Sequence, residues 1–338
     1  MGFLERFLRP CRKLTDMFLI ACVETFGLVL IGGILGNIIV EKTLGVDIGV
    51  DVTQLAQLMQ DQSQTGTAGG IPAHLACAAH YLTFCGIWVF TLLAMVIPPS
   101  NRPMLRKFLI SRDGNSIKRI LLGLLAGFGI NSICVIISIF LGDIALSFDH
   151  FGPLPLLILF LAVLVQSGAE EITCRQFLFQ KLTRRYRSPL VAVIISSVFF
   201  AASHLANPGI GPVPIAQLIV VATLFAILIY YYDALGACIT FHTAWNFTQN
   251  IIYGLPNSGL VSLYSIFKLE AASSGPFFDA TFGVEGGVGG TVLLVLACVF
   301  LVVHAKRNGY CPKDLWEDGA TLEEPQLAPA STGPRHMA

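Results

Sequence analysis

Long apolar runs alternate with short polar or basic segments along almost the whole chain. Eight of these runs approach the roughly 20 residues that an α-helix needs to cross a bilayer. They cover residues 17–40, 74–97, 120–141, 154–182, 189–204, 215–232, 234–253 and 288–304. The pattern predicts an all-α, polytopic integral membrane protein with about eight transmembrane helices.

The composition agrees with this pattern and excludes several classes of protein. Of the 338 residues, 54% are hydrophobic and only 12% are charged, which is too little charge to cover a soluble globule of this size. Lysine plus arginine and aspartate plus glutamate both number 21, so the chain has no bulk attraction to nucleic acid. The 9 cysteines show neither a paired spacing nor a zinc motif. We therefore expect the lipid bilayer as a partner, no nucleic acid, and no metal or other cofactor.

The distribution of basic residues indicates which loops face the cytoplasm. Eighteen lysines and arginines lie at the N-terminus, in the loops after the second and fourth runs, and in the C-terminal tail, whereas only Lys42 and Lys268 lie on the opposite side. Both termini are therefore predicted to be cytoplasmic. The first run is too long for a signal-peptide core and is interpreted as a retained span. No organelle-targeting sequence is apparent, and the compact loops favour a multi-pass protein of a prokaryotic plasma or inner membrane.

The polar residues divide the chain into four segments. Residues 1–153 hold three predicted spans and an external polar loop at 41–70, in which a short surface helix is an open possibility. Residues 154–253 hold the spans that carry most of the intramembrane ionisable groups. Residues 254–304 hold an external loop rich in glycine and serine and the last span, and residues 305–338 are predicted to form a mobile cytoplasmic tail.

The fourth run contains two adjacent acids and a base. Ionisable side chains inside a span are costly and rare, so they are functional candidates. Glu171 and Arg175 are four residues apart and can pair along one face of a helix. Glu170 is rotated by about 100° from Glu171 and can point into a cavity while Glu171 is neutralised. Glu24, in the first run, could line the same cavity or pair with Arg175.

The fifth and seventh runs supply two imidazoles and an amide. Phe200 precedes His204 by about one helical turn and can wall its imidazole. His242 and Asn246 are also four residues apart and face the same way. With a helix rise of about 1.5 Å per residue, these groups and Glu170 can converge near the middle of the membrane.

The ordered pattern Glu-Glu-x-x-x-Arg, Phe-x-x-x-His and His-x-x-x-Asn resembles the CAAX protease and bacteriocin-processing family, also called the Abi family, which includes the Ras-converting CAAX endopeptidases. The motifs are complete here, at Glu170, Glu171 and Arg175, at Phe200 and His204, and at His242 and Asn246. The resemblance covers residues 154–253 and implies that this segment is the catalytic core.

The resemblance also implies a mechanism, that of a metal-independent intramembrane glutamic endopeptidase. In such an enzyme Glu170 and His204 activate the attacking water, and His242 and Asn246 donate to the oxyanion. The structural or orienting residues would be Glu171, Arg175 and Phe200. The partner would be a peptide or protein substrate within or at the membrane. Eukaryotic and archaeal relatives cleave after a prenylated cysteine and bacterial relatives act on other peptides, so the resemblance leaves prenylation open.

Three other hypotheses use the same residues. A zinc metalloprotease would take Glu170, Glu171, His204 and His242 as ligands or base, although the His-Glu-x-x-His helix pattern is missing. A proton-coupled transporter would use the acids and imidazoles as a proton relay, although no internal repeat is evident. In a non-catalytic scaffold or immunity protein, Glu171 and Arg175 would be a packing ion pair. His242 and Asn246 would form interhelical hydrogen bonds.

Overall fold

Helices form most of the chain in the computed structural model, which describes residues 13–44, 67–68, 71–112, 114–312 and 315–316. The prediction of an all-α membrane protein is confirmed for these residues. The described helices are α1 (Phe18–Leu44), α2 (Ala73–Leu82), α3 (Cys85–Val96), α4 (Ile117–Leu141), α5 (Pro153–Arg185), α6 (Pro189–Ala202), α7 (Pro212–Tyr232), α8 (Leu235–Asn246) and α9 (Val288–Arg307). Two helices continue through π-helical turns, at Ile172–Leu178 within α5 and at Phe247–Ile252 directly after α8.

Six of the eight predicted spans are long and apolar enough to cross a membrane. They are Phe18–Thr43, Ala73–Val96, Ile117–Leu141, Pro153–Arg185, Pro212–Tyr232 and Val288–Arg307. The fifth predicted span is the apolar helix α6, which has only 14 residues. Such a helix is about 21 Å long, less than the roughly 30 Å of the hydrocarbon core. Whether α6, and α8 with its π turn, cross the bilayer completely stays a prediction.

Close contact between α4 and α8 fixes the position of the helix that carries His242 and Asn246. Side chains at Gly123 and Gly127 would overlap the backbone carbonyl oxygens of Ala237 and Phe241. Small residues spaced by four let two membrane helices approach at their backbones. The two glycines therefore determine how deeply α8 packs into the bundle.

The external loops contain short strands that the sequence analysis did not predict. Strand β3 (Ile144–Phe148) pairs antiparallel with β4 (Phe267–Ala272), and β1 (Thr67–Ala68) pairs with β2 (Ile71–Pro72). The β3–β4 sheet joins the loop after α4 to the loop before α9, which the charge pattern places on the same side of the membrane. The possible surface helix of the 41–70 loop falls almost entirely outside the described residues.

Ion pairs join the segments that are predicted to be cytoplasmic. Nε and Nη2 of Arg184 donate to the two carboxylate oxygens of Asp16, each at 2.6 Å. Lys107 lies 2.5 Å from Asp233, in the turn between α7 and α8. Lys181 forms an ion pair with the carboxylate of Glu24. The expected alternative, in which Glu24 pairs with Arg175, is therefore wrong. These pairs explain why α5 continues to Arg185, three residues beyond the predicted end of the fourth span at residue 182.

The chain after α9 returns to this cytoplasmic cluster. The indole of Trp316 is 8% exposed and donates to the carbonyl of Gln180 at 2.9 Å. The guanidinium of Arg184 lies 4.9 Å from the Trp316 ring. The predicted mobile tail thus has an anchored residue at Trp316. Residues 317–338, where the prediction of mobility mainly falls, lie outside the described residues.

The predicted topology can be tested with single exposed cysteines. In a background with Cys11 and Cys311 changed to serine, we expect a membrane-impermeant maleimide to label Ser274→Cys in intact cells. Arg112→Cys should be labelled only after permeabilisation, because its loop carries the cytoplasmic basic residues. The parent without a new cysteine gives the background signal. Labelling of Arg112→Cys in intact cells would contradict the topology.

Candidate active site

A cavity of about 340 Å³ lies among the helices and is closed in part by the loop between α8 and α9. Five of the predicted site residues line it, and they come from three separate segments of the chain. They are Glu170, Phe200, His204, His242 and Asn246. The other two, Glu171 and Arg175, lie behind the wall, where both side chains are 0% exposed.

The acid behind the wall is neutralised from two sides. Nη1 of Arg175 donates to Oε1 of Glu171 at 3.2 Å, and Nε lies 3.2 Å from Oε2. Nδ1 of His242 lies 2.9 Å from the same Oε1, and because a carboxylate only accepts, this nitrogen carries the proton. The guanidinium of Arg175 also lies over the rings of Phe200 and Phe225, at 4.5 and 5.2 Å. Glu171 and Arg175 therefore pair as their four-residue spacing predicts, and His242 shares the same carboxylate.

The neighbouring acid, Glu170, has one oxygen without a partner. Nε2 of Gln166 donates to its Oε1 at 2.5 Å. Its Oε2 is buried and accepts no hydrogen bond in the described part of the structure. The closest cationic partner is Nε2 of His242, at 3.7 Å from Oε2, which is beyond hydrogen-bond distance. Glu170 thus lines the cavity, as the helical period predicts, and one of its oxygens has no hydrogen-bond partner in the described residues.

His204 reaches the cavity from a turn rather than from a helix. Helix α6 ends at Ala202, and the His204 ring packs 4.8 Å from the ring of Phe200. Its Nδ1 lies 2.8 Å from the carbonyl of Phe200, so Nδ1 carries the proton and Nε2 is an acceptor. The hydrogen bonds described for its ring go to Phe200 and Ser203. His204 and Glu170 therefore line the same cavity without a direct hydrogen bond in the described residues.

The amide of Asn246 is oriented on both of its sides. Its Nδ2 donates to Oε1 of Gln166 at 3.1 Å, and its Oδ1 accepts from Nδ2 of Asn257 at 3.2 Å. The sequence analysis missed both partners. Gln166 precedes Glu170 by four residues on the same helix face, so its position in the chain could have indicated it. Asn257 lies in the loop after α8, and no local spacing connects it to the site.

Glu285 is a further buried acid that the sequence analysis missed. It accepts from Nε1 of Trp245 at 3.1 Å, from Nδ2 of Asn257 at 2.8 Å and from the backbone N–H of Ser258 at 2.6 Å. Burial raises the pKa of this carboxyl to about 7, although its hydrogen bonds act in the opposite direction. An acid in a glycine-rich loop is normally solvated, and nothing in the sequence distinguishes Glu285 from that ordinary case.

The two helices that carry the candidate residues Glu170, Glu171, His242 and Asn246 change their winding directly after these residues. In α5 the π turn Ile172–Leu178 begins one residue after Glu171, and the π turn Phe247–Ile252 follows Asn246. Such turns are rare and frequently accompany functional sites. They shift the hydrogen-bond register from four to five residues and so re-aim the helix that follows each site.

The geometry gives little support to a zinc site. Within the described ranges, no group of three or more His, Cys, Asp or Glu side chains is placed to hold a metal ion. The donor set for the metalloprotease hypothesis is therefore incomplete in the described residues.

Comparison with known proteins agrees with the resemblance found in the sequence. Residues 152–248 match the family model described as type II CAAX prenyl endopeptidase Rce1-like. The matched segment nearly coincides with the predicted core at 154–253, and it contains every residue of the three motifs. The match supports a membrane endopeptidase in general. No curated protein and no solved structure matches the chain.

The raised pKa of Glu285 gives a pH-dependent contribution to stability. Between pH 4.5 and about pH 7, Glu285 keeps its proton in the folded protein and loses it in the unfolded chain. The contribution of this group to the free energy of unfolding therefore falls as the pH rises through that window. Glu285→Gln keeps the size and removes the titration. We expect wild type to lose up to about 3 kcal/mol more stability than Glu285→Gln between about pH 5 and about pH 8. Thermal unfolding in detergent measures the difference.

The matched control is Glu270→Gln, which removes an exposed acid on β4. It should leave the pH dependence of the melting temperature close to that of wild type. Equal pH slopes for Glu285→Gln and Glu270→Gln would contradict the raised pKa.

Proposed function

We propose that this protein is an intramembrane glutamic endopeptidase. It hydrolyses a peptide bond of a membrane-associated or lipidated peptide or protein, with water activated by Glu170 and His204. The observation that carries the proposal is the contrast between two adjacent carboxylates. Glu171 is held behind the wall by Arg175 and His242, and its Oε2 lies 3.2 Å from Nε of Arg175. Glu170 lines the cavity, and its Oε2 has no hydrogen bond in the described residues and no arginine or lysine paired with it.

The attacking water lies between Glu170 and His204. Oε2 of Glu170 takes one proton of the water while the water oxygen forms a bond to the scissile carbonyl carbon. Nε2 of His204 accepts a hydrogen bond from the second O–H of the water and fixes the direction of attack. The carbonyl electron pair moves to its oxygen and gives a tetrahedral oxyanion. Glu170 then returns its proton to the amide nitrogen as the C–N bond breaks, which leaves the enzyme in its starting state.

The oxyanion is stabilised from α8. One N–H of the Asn246 amide is bonded to Gln166, and the second is available to the oxyanion. Nε2 of His242 can donate as well when the imidazole carries both protons, because Nδ1 is occupied by Glu171. One such donor typically lowers the free-energy barrier by about 3–4 kcal/mol. Glu285 and Asn257 keep the Asn246 oxygen turned away, so that an N–H faces the substrate.

The walls of the cavity support a substrate with an apolar portion. Val29, Ile87, Leu218 and Leu294 line it from α1, α3, α7 and α9. An apolar enclosure with a few fixed polar groups suits a chain that reaches the site from the lipid phase. The family description names a prenyl endopeptidase, which fits a lipidated substrate. We propose the plasma membrane of a prokaryotic cell as the location, on the basis of the compact loops.

The different roles of the two carboxylates can be separated with matched amides. Glu170→Gln keeps the shape of the side chain but cannot take a proton from water, so cleavage should fall by about 10²–10⁴ with the melting temperature nearly unchanged. Glu171→Gln leaves Arg175 without its counter-charge and should lower both the melting temperature and the cleavage rate. The measurements are the hydrolysis of a fluorogenic farnesylated CAAX peptide and thermal unfolding in detergent.

Glu270→Gln is the control for the loss of a carboxylate far from the cavity, and it should cleave like wild type. Near-wild-type cleavage by Glu170→Gln would exclude the glutamate-base mechanism. A wild-type protein that cleaves neither the farnesylated peptide nor its unprenylated counterpart would contradict the proposed function itself.

A further inference from the structure

Two buried polar atoms of the cavity wall have no partner. Twelve buried side-chain nitrogen and oxygen atoms lack a hydrogen bond in the described residues, and only two of them belong to residues that line the cavity. They are Oε2 of Glu170 and Nε2 of Gln217. Buried polar groups are nearly always bonded, so each exception needs an explanation. Glu170 is explained by the attacking water, which leaves Gln217.

The carbonyl end of the Gln217 amide is held by α9. Oγ1 of Thr291 donates to its Oε1 at 2.9 Å, and Nε2 is the amide atom that has no partner in the described residues. The residue lies on α7 and is 1% exposed. A Cβ atom at Gly290 would lie 3.3 Å from both Oε1 and Nε2, so a glycine there leaves room for the amide. The amide is therefore fixed at one end and unpaired at the other.

Other polar side chains of the cavity wall already have protein partners. Asn246 is bonded to Gln166 and Asn257, and Glu285 accepts from Trp245, Asn257 and Ser258. Glu285 is thus not the acceptor for Gln217. An oriented N–H in this largely apolar cavity wall can bind an acceptor that arrives with the ligand. The backbone carbonyl oxygens of an extended peptide are such acceptors.

We propose that Nε2 of Gln217 binds a backbone carbonyl oxygen of the substrate and that Thr291 orients it for this contact. Gln217 is then a substrate-binding residue outside the three motifs, on a different helix from Glu170 and from Asn246. The inference rests on the proposed function. The substrate backbone is then extended and runs from Glu170 to the wall formed by α7 and α9.

The test separates substrate binding from chemistry. Gln217→Met keeps the length and removes the donor, so KM for the farnesylated CAAX peptide should rise about three- to tenfold while kcat changes less than about twofold. Gln217→Glu replaces the donor by an acceptor and should raise KM further. Thr291→Val leaves the amide in place without its orientation and should raise KM by an intermediate factor.

The matched control is Thr223→Val, which removes a hydroxyl from the same helix at a position that does not line the cavity. It should leave KM unchanged. Melting temperatures of all variants are measured, and if Gln217→Met does not fold, the KM of Thr291→Val decides the question. A KM for Gln217→Met equal to that of Thr223→Val would overturn the proposal while wild-type cleavage still supports the proposed function. If wild type itself does not cleave the peptide, both the proposed function and the role of Gln217 are contradicted.

Discussion

The buried ion pair between Glu171 and Arg175 is the constraint on which the rest of the site depends. Taking two charges out of water costs several kcal/mol for each ion, so both must be fully compensated. Arg175 is compensated by the carboxylate and by the faces of Phe200 and Phe225, and Glu171 also receives the N–H of His242. Because Arg175 is committed to Glu171, it does not neutralise Glu170. The pair therefore creates the difference between two chemically identical neighbours.

The second constraint is a chain of amides that connects α5 and α8 to the loop between α8 and α9. Gln166 bonds both Glu170 and Asn246, and Asn257 bonds both Asn246 and Glu285. In a low-dielectric interior, a network in which each member has partners is rigid and specifies one arrangement. The loop before α9 thereby helps to set the position of a side chain on α8, which explains why residues beyond the matched segment 152–248 contribute to the site.

Local periodicity accounts for what the sequence could predict. The apolar runs predict the helices, and the spacing within single helices predicts the pairing of Glu171 with Arg175 and the separate direction of Glu170. Contacts between distant segments have no such signal, so Asn257 and Glu285, the β3–β4 sheet and the anchored Trp316 were not predicted. The π turns after Glu171 and Asn246 were also invisible, because apolar sequences with the same spacing form ordinary α-helix.

The coupling between Glu171 and Arg175 tests the central claim most directly, through the melting temperatures of Glu171→Gln, Arg175→Gln and the double variant in detergent. Each single change leaves one buried charge without its counter-ion, whereas the double change leaves neither. The double variant should therefore melt above both single variants. A double variant that melts below them, by the sum of the two single losses, would show that the pair is not coupled and would contradict this account of the site.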